Sequence, residues 1–266
     1  MNIKLLSVAS AIITIAMIIW NYFINAVGIN NKTISDLSSQ YENFFTPASY
    51  AFSIWGIIFV GLIVISVYLI RVSFKNEHRH QWMVAPASLL LISANVLNSI
   101  WSYFFLSEMT GWSVIAMFGI LVSLIILVVK LKMENYDADF QTITYIWWPI
   151  SFYLGWITVA SIANVSAHLS KVGFDTIAFS DYDWTMIMII VATIINLLMI
   201  KYRNMTGFAL VGTWALVAIA VRHFAEQQQL ANLALVSALV IIIAIVVHTY
   251  IHRKINFFSK LKKLNN

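Results

Sequence analysis

Cysteine is absent from the 266 residues of this chain, and charge is scarce. Without cysteine, disulfide bonds and thiolate metal sites are excluded. Only sixteen Lys and Arg and eleven Asp and Glu are present, whereas 61% of the residues are hydrophobic. A soluble globule needs more polar residues than this to cover its surface. The composition therefore predicts an integral membrane protein, with the lipid bilayer as its main partner.

The few charges divide the chain into eight long uncharged windows. They cover residues 5–31, 43–70, 80–107, 109–129, 140–170, 184–200, 204–221 and 227–252. Each is close to or longer than the roughly 20 residues that a helix needs to cross a bilayer. Backbone amides in lipid must be paired within the segment, so each window is predicted to be helical. We expect an all-α integral membrane fold with eight transmembrane helices, the first of them a retained helix and not a cleaved signal.

Lys and Arg are distributed unevenly between alternate loops. Thirteen of the sixteen fall on the side of the N-terminus, and the exceptions are Lys32, Lys171 and Arg222. The positive-inside rule then places both termini in the cytoplasm, with the protein in the cytoplasmic membrane. The net charge of +5 follows from this bias, so no nucleic-acid partner is predicted.

The predicted spans hold no Asp, Glu, Lys or Arg away from their ends, and His248 is the one titratable group expected well inside a span. Ion and proton pathways through membranes use such groups, so a charge-coupled pump is disfavoured. A nucleophile with a matching base cannot be assembled either, and no catalytic residue is predicted.

Tryptophan and asparagine recur within the spans at helical spacing. The third predicted helix carries Asn98, Trp101 and Phe105 on one face, and the fifth carries Trp156, Ala160, Asn164 and His168. Two interpretations of Asn98 and Asn164 stand about equal: hydrogen bonds between helices, or contacts to a ligand. Ala160 fits a small-residue packing seam equally well.

Three segments carry a resemblance to a known family. They are "TPASYAFSIW" (residues 46–55), "NSIWSYFF" (98–105) and the Trp-x-x-x-Ala-x-x-x-Asn pattern from Trp156 to Asn164. In this order they resemble the signature segments of the TspO/MBR family, the tryptophan-rich sensory or translocator proteins. The likeness covers about residues 1–170, although the family's second proline before Trp55 is missing and Ala94 stands where the family has glutamine.

The resemblance implies a TspO-like five-helix bundle over residues 1–170. Residues 171–266 would then be a three-helix extension with a basic C-terminal tail, as in an extended bacterial member. It also implies a pocket for porphyrins or other flat hydrophobic ligands, in which Trp55 faces Trp156. The implied ligand-binding residues are Pro47, Tyr50, Trp55, Asn98, Trp101, Trp156, Ala160 and Asn164.

Further expectations concern the ligand and the helix start. Porphyrin or haem is expected only as a ligand, since axial ligation of an iron atom is poorly supported and no metal site is predicted. Pro47 suits the first turn of the second helix, where its missing amide hydrogen is no loss.

Three functional hypotheses follow. The first is a membrane protein that binds a flat hydrophobic ligand, in sensing or handling of that ligand. The second is a small transporter or permease for a hydrophobic solute, and the third is an enzyme that degrades porphyrin with light. A homodimer is a candidate assembly.

Overall fold

Eight long helices make up most of the protein in a computed structural model, which describes residues 2–29, 32–41, 43–75, 78–133, 138–173 and 180–251. They are α1 (Ile3–Val27), α2 (Ile54–Phe74), α3 (His78–Leu106), α4 (Thr110–Lys130), α5 (Trp148–Lys171), α6 (Asp181–Arg203), α7 (Thr206–His223) and α8 (Gln228–Ile251). All eight are long and apolar enough to cross a membrane. The predicted all-α fold with eight spans is confirmed.

The chain divides into two compact units. Unit 1 comprises Met1–Asn43, Trp55–Leu131 and Ala160–Phe174, and unit 2 comprises Phe44–Ile54, Lys132–Val159 and Asp175–Asn266. The boundaries at residues 54 and 159 fall inside α2 and α5. The predicted division at residue 170 stays a prediction. The basic tail predicted at residues 253–263 lies outside the described residues.

Unit 1 is held together by polar side chains buried between α1 and α3. Asn95 Nδ2 donates to Thr14 Oγ1 at 2.9 Å, and Asn21 Nδ2 donates to Asn98 Oδ1 at 2.9 Å. Because lipid offers no hydrogen-bond partners, such groups must be satisfied by the protein, and here the contact between two helices supplies the partners. These four residues, the α1–α3 polar seam, therefore fix the faces that the two helices turn towards each other.

Unit 2 is built around α7, most of which is buried. Gly207 lies against Ser151 and Phe152, and Gly155 lies against Phe208 and Val211. Glycine at these positions lets the backbones of α5 and α7 approach closely, as small residues commonly do in membrane bundles.

Local chemistry sets several helix ends. Ser180 and Asp183 form a capping box, in which the side chain of each residue accepts a hydrogen bond from the backbone amide of the other. Asp181 and Asp183 therefore lie in the first turn of α6. Negative charge is favoured at a helix N-terminus. Asn204 then ends the helix in the left-handed conformation, with φ of 53°. Asp175, which precedes them in the sequence between α5 and α6, lies outside the described residues.

Pro47 departs from its predicted position. It precedes Ala48, the N-cap of a short 3₁₀ helix (Ser49–Ser53) that leads into α2, and so it is not in a first helical turn. The Ala48 amide donates instead to the carbonyl of Ala218 on α7, at 3.0 Å. Because the Ala48 amide is bonded to α7, the 3₁₀ helix begins one residue later, at Ser49.

His248 lies in the last turn of α8 as far as the structure describes this helix, which is to Ile251. Its expected place well inside a span stays a prediction. At α5, one π-helical turn (Ile143–Trp147) precedes Pro149. Proline cannot donate to the carbonyl four residues earlier and its ring crowds that carbonyl, so a widened turn relieves the clash.

Candidate functional site

In unit 1, three aromatic rings from α2 and α3 lie nearly parallel. The Trp55 and Trp101 ring centroids are 6.3 Å apart with 28° between the ring planes. Trp101 and Phe105 follow at 5.7 Å and 19°. Trp101 and Phe105 are buried, whereas Trp55 is partly exposed. We call these three residues the aromatic stack, and Trp55 is its accessible end.

The stack is anchored by the amide of Asn164 on α5. The Trp101 indole Nε1 donates to Asn164 Oδ1 at 2.6 Å, and Asn164 Nδ2 donates to Ser113 Oγ on α4 at 2.9 Å. All three side chains are buried. The two ends of one amide therefore join α3, α4 and α5, and they hold the Trp101 ring in a single orientation.

Asn98 and Asn164 are both engaged between helices. Asn98 accepts from Asn21 within the α1–α3 polar seam, and Asn164 bridges Trp101 and Ser113. In this structure both asparagines therefore form hydrogen bonds between helices, as the first of the two interpretations proposed. A ligand contact for either residue stays a prediction.

The other predicted site residues are divided between the units. Ala160 belongs to unit 1 and is half-buried, whereas Pro47, Tyr50 and Trp156 belong to unit 2. Trp156 is buried, with its ring edge-on to Phe52 at 5.9 Å. The expectation that Trp55 faces Trp156 across a ligand stays a prediction.

Sequence reasoning missed Trp214 on α7. Its ring meets the Tyr50 ring at 5.1 Å and 82°, and its Nε1 donates to the Ala51 carbonyl at 3.2 Å. Its position in the sequence could have indicated a role, because this tryptophan lies halfway along its helix, whereas interfacial tryptophans lie at helix ends. It was missed because the family segments lie elsewhere in the chain.

A polar cluster at the α3–α4 turn, the Glu108 clamp, was also missed. Lys32 Nζ lies 2.8 Å from one carboxylate oxygen of Glu108, and the Tyr41 hydroxyl donates to the other at 2.5 Å. Lys171 Nζ donates to the Glu108 backbone carbonyl and lies over the Tyr41 ring. The clamp ties the segment between α1 and α2 to the α3–α4 turn and to the end of α5.

The clamp shifts two pKa values in opposite directions. Hydrogen bonds from Lys32 and then Tyr41 lower the pKa of Glu108 below its usual range. Burial, followed by the adjacent Glu108 carboxylate, raises the pKa of Tyr41 to about 12. At neutral pH the carboxylate is therefore charged and the phenol is protonated, as the hydrogen bond between them requires.

Metal-binding side chains do not converge within the part of the chain that the structure describes. No group of three His, Cys, Asp or Glu residues there could hold a metal ion. The chemistry available to the described sites is aromatic stacking together with hydrogen bonding by amides, hydroxyls and indoles.

Comparison with known proteins identifies a family. The sequence profile of the family described as TSPO-like protein matches residues 7–247. The matched range extends past residue 170 and includes most of α8. No curated protein and no solved structure matches the chain. With nearly the whole chain matched and eight helices long enough to span a membrane, this is a multi-pass membrane protein that belongs to the TSPO-like family.

Proposed function

We propose that the protein binds a flat, conjugated, hydrophobic ligand of the porphyrin type against Trp55 and acts in sensing or handling of that ligand. The observation that carries the proposal is the aromatic stack, in which two buried rings back a partly exposed indole at nearly the same tilt. Phe59 also lies against the Trp55 ring, at 5.4 Å and 33°, so a planar ligand would stack on the part of the indole that Trp101 and Phe59 leave exposed. Stacked aromatic pairs contribute roughly 0.5–1.5 kcal/mol beyond the area that they bury.

The anchoring of the stack supports the same proposal. Trp101 cannot rotate without breaking its bond to Asn164, so the surface behind Trp55 is fixed before a ligand arrives. A preorganised surface loses less conformational entropy on binding. Pro47, Tyr50, Asn98, Trp156, Ala160 and Asn164 enter the proposal through the family resemblance alone. Both termini are placed in the cytoplasm through the distribution of Lys and Arg.

Titration of the detergent-purified protein with protoporphyrin tests the proposal. The shift of the porphyrin absorbance band reports binding without relying on the tryptophans that are to be replaced. We expect Trp55→Leu to raise the Kd by roughly two- to tenfold, the range that loss of one stacking contact predicts.

Trp112→Leu is the matched control, because Trp112 is also a tryptophan of unit 1 but is 61% exposed and lies outside the stack. Its Kd should equal that of the wild type. Equal Kd values for Trp55→Leu and the wild type, with both proteins eluting as single species, would refute binding at Trp55.

A further inference from the structure

Tyr50 and Trp214 form a second aromatic surface, and it lies wholly within unit 2. Their rings are nearly perpendicular, at 82°, with centroids 5.1 Å apart. Tyr50 is 40% exposed and Trp214 is 36% exposed, so both rings present part of their surface. By contrast, the nearby Phe52 ring contacts Trp156, which is buried. Of these two pairs, the Tyr50–Trp214 pair is therefore the accessible one.

Two bonds to α7 hold this pair in place. The Trp214 indole donates to the carbonyl of Ala51, one residue after Tyr50, at 3.2 Å. The Ala48 amide, two residues before Tyr50, donates to the Ala218 carbonyl at 3.0 Å. The segment that carries Tyr50 is thus bonded to α7 on both sides of the tyrosine. The two rings form a rigid corner, which we call the Tyr50–Trp214 corner.

Anchoring in the membrane interface does not account for Trp214. Interfacial tryptophans lie at helix ends and direct the indole N–H towards the lipid headgroups. Trp214 lies halfway along the 18-residue α7, and its N–H is bonded to the backbone of its own unit. What it leaves exposed is ring surface without a donor, which suits an apolar planar partner.

The polar group at this corner belongs to Tyr50. Its hydroxyl makes no hydrogen bond with any residue that the structure describes. A phenol can both donate and accept, so it would complement a carboxylate, carbonyl or hydroxyl on the rim of a planar ligand. Exposed ring surface beside one hydrogen-bonding group is the common pattern in small-molecule sites.

We propose that the Tyr50–Trp214 corner is a ligand-binding subsite, in which Trp214 stacks on a flat conjugated ring system and Tyr50 bonds a polar substituent at its rim. This rests on the proposed function for the class of ligand. Tyr50 belongs to the first signature segment, whereas Trp214 on α7 lies outside all three. The subsite also gives α7 a direct part in recognition, beyond its packing role.

Two substitutions of Trp214 separate a direct contact with the ligand from an effect on the position of Ala51. Trp214→Phe keeps an aromatic ring but loses the N–H that holds Ala51, whereas Trp214→Leu loses both. If Trp214 stacks on the ligand, protoporphyrin should bind Trp214→Leu with a Kd roughly two- to tenfold above the wild type. The Kd of Trp214→Phe should lie between those two values. Trp112→Leu again serves as the control and should bind as the wild type does.

The outcomes distinguish this subsite from the proposed function. Weaker binding in Trp55→Leu with unchanged binding in Trp214→Leu would reject the corner and leave the proposed function standing. Equal losses of affinity in Trp214→Phe and Trp214→Leu, with equal falls in their thermal midpoints, would also reject it, since both would then act by releasing Ala51. Absence of protoporphyrin binding to the wild type would reject both proposals.

Discussion

Asn164 illustrates how one amide organises a membrane site. In lipid, a buried amide that lacks a protein partner is costly, so its position is fixed by the partners that other helices bring. Those partners are the Trp101 indole and the Ser113 hydroxyl. Sequence spacing could place Asn164 and Trp101 on suitable faces of their helices. It could not predict Ser113, because nothing in the pattern of α4 sets this serine apart from others in the spans.

Replacing Asn164 with leucine separates the two interpretations that the sequence left open. Asn164→Leu leaves the Trp101 N–H without its acceptor, so we expect the free energy of unfolding to fall by about 1–2 kcal/mol. Unfolding in increasing denaturing detergent, followed by tryptophan fluorescence, measures the change. Asn25→Leu is the control, since the Asn25 side chain donates to the Asn21 carbonyl within the same helix. Unchanged stability together with weaker protoporphyrin binding would instead favour a ligand role.

Glu108 makes the stability of the clamp depend on pH. Its folded pKa is lowered, mainly by the bond from Lys32, so the stabilisation is complete above the unfolded value of about 4.3 and is lost as the pH falls below it. The pKa of Tyr41 is raised to about 12, so its contribution is complete below about pH 10 and is lost as the pH rises towards 12. The clamp is therefore intact across the neutral range.

Limited proteolysis of the segment between α1 and α2 tests the clamp. We expect slow cleavage of the wild type at neutral pH and faster cleavage as the pH falls below the ordinary glutamate value of about 4.3 and through the lowered pKa of Glu108. Glu108→Gln keeps the shape of the side chain but not its charge, so it should be cleaved rapidly at neutral pH and change less with acid. Matching cleavage profiles for the two proteins over this range would contradict the role of the carboxylate.

At the scale of the helix, the contact between α5 and α7 depends on Gly155. A Cβ atom at this position would lie 2.8 Å from the Phe208 carbonyl oxygen and 3.1 Å from Val211 Cβ. A backbone carbonyl in a packed helix cannot move aside cheaply, so the helices would have to separate. The close approach that builds unit 2 is thus set by the absence of one methyl group.

Gly155→Ala should therefore lower the thermal midpoint, even though alanine favours helix more than glycine does by about 1 kcal/mol. Gly56→Ala is the matched control, because a Cβ at Gly56 meets nothing within 4 Å. That variant should be as stable as the wild type or more so. Thermal unfolding of the three proteins in one detergent measures both effects, and a midpoint for Gly155→Ala at or above that of the wild type would contradict the packing argument.

Helices were predictable from sequence, but their ends and connections were less so. Uncharged windows located all eight spans, since long apolar runs leave helix as the available structure in lipid. Pro47 was misplaced because proline suits both a first helical turn and the extended residue before a cap. The choice between them depended on Ala218, which lies far along the chain. The π-helical turn before Pro149 follows from the proline, but the spacing of apolar residues does not report whether a helix kinks or widens at a proline.

At the scale of the whole molecule, the sequence predicted which site residues share a helix, but not which helices bring their residues together. Asn98, Trp101 and Phe105 were placed on one face of α3 by their spacing, and Asn98 and all three rings of the aromatic stack stand in the family segments. The contacts of Trp214 and Glu108 could not be predicted, because their partners come from distant parts of the chain. Periodicity reports which residues share a helix face, but it does not report which other element packs against that face.

The five-helix segment that the resemblance sets at residues 1–170 includes parts of both compact units. In the structure, Phe44–Ile54 and Lys132–Val159 are grouped with the chain beyond Asp175, and Ala48 and Ala51 are bonded to α7. A chain that ends at Lys171 loses those partners. It also exposes the residues around Ala48 and Gly155 that α7 covers in the intact protein. We therefore expect it to aggregate on extraction from the membrane.

Co-expression of residues 1–171 and 172–266 as two chains is the matched control, because it keeps every contact and breaks only one loop. The two fragments should co-purify and elute as one species on size exclusion, with a thermal midpoint near that of the intact protein. If residues 1–171 alone elute as a single folded species of comparable stability, the first five helices form an independent domain and do not depend on α7.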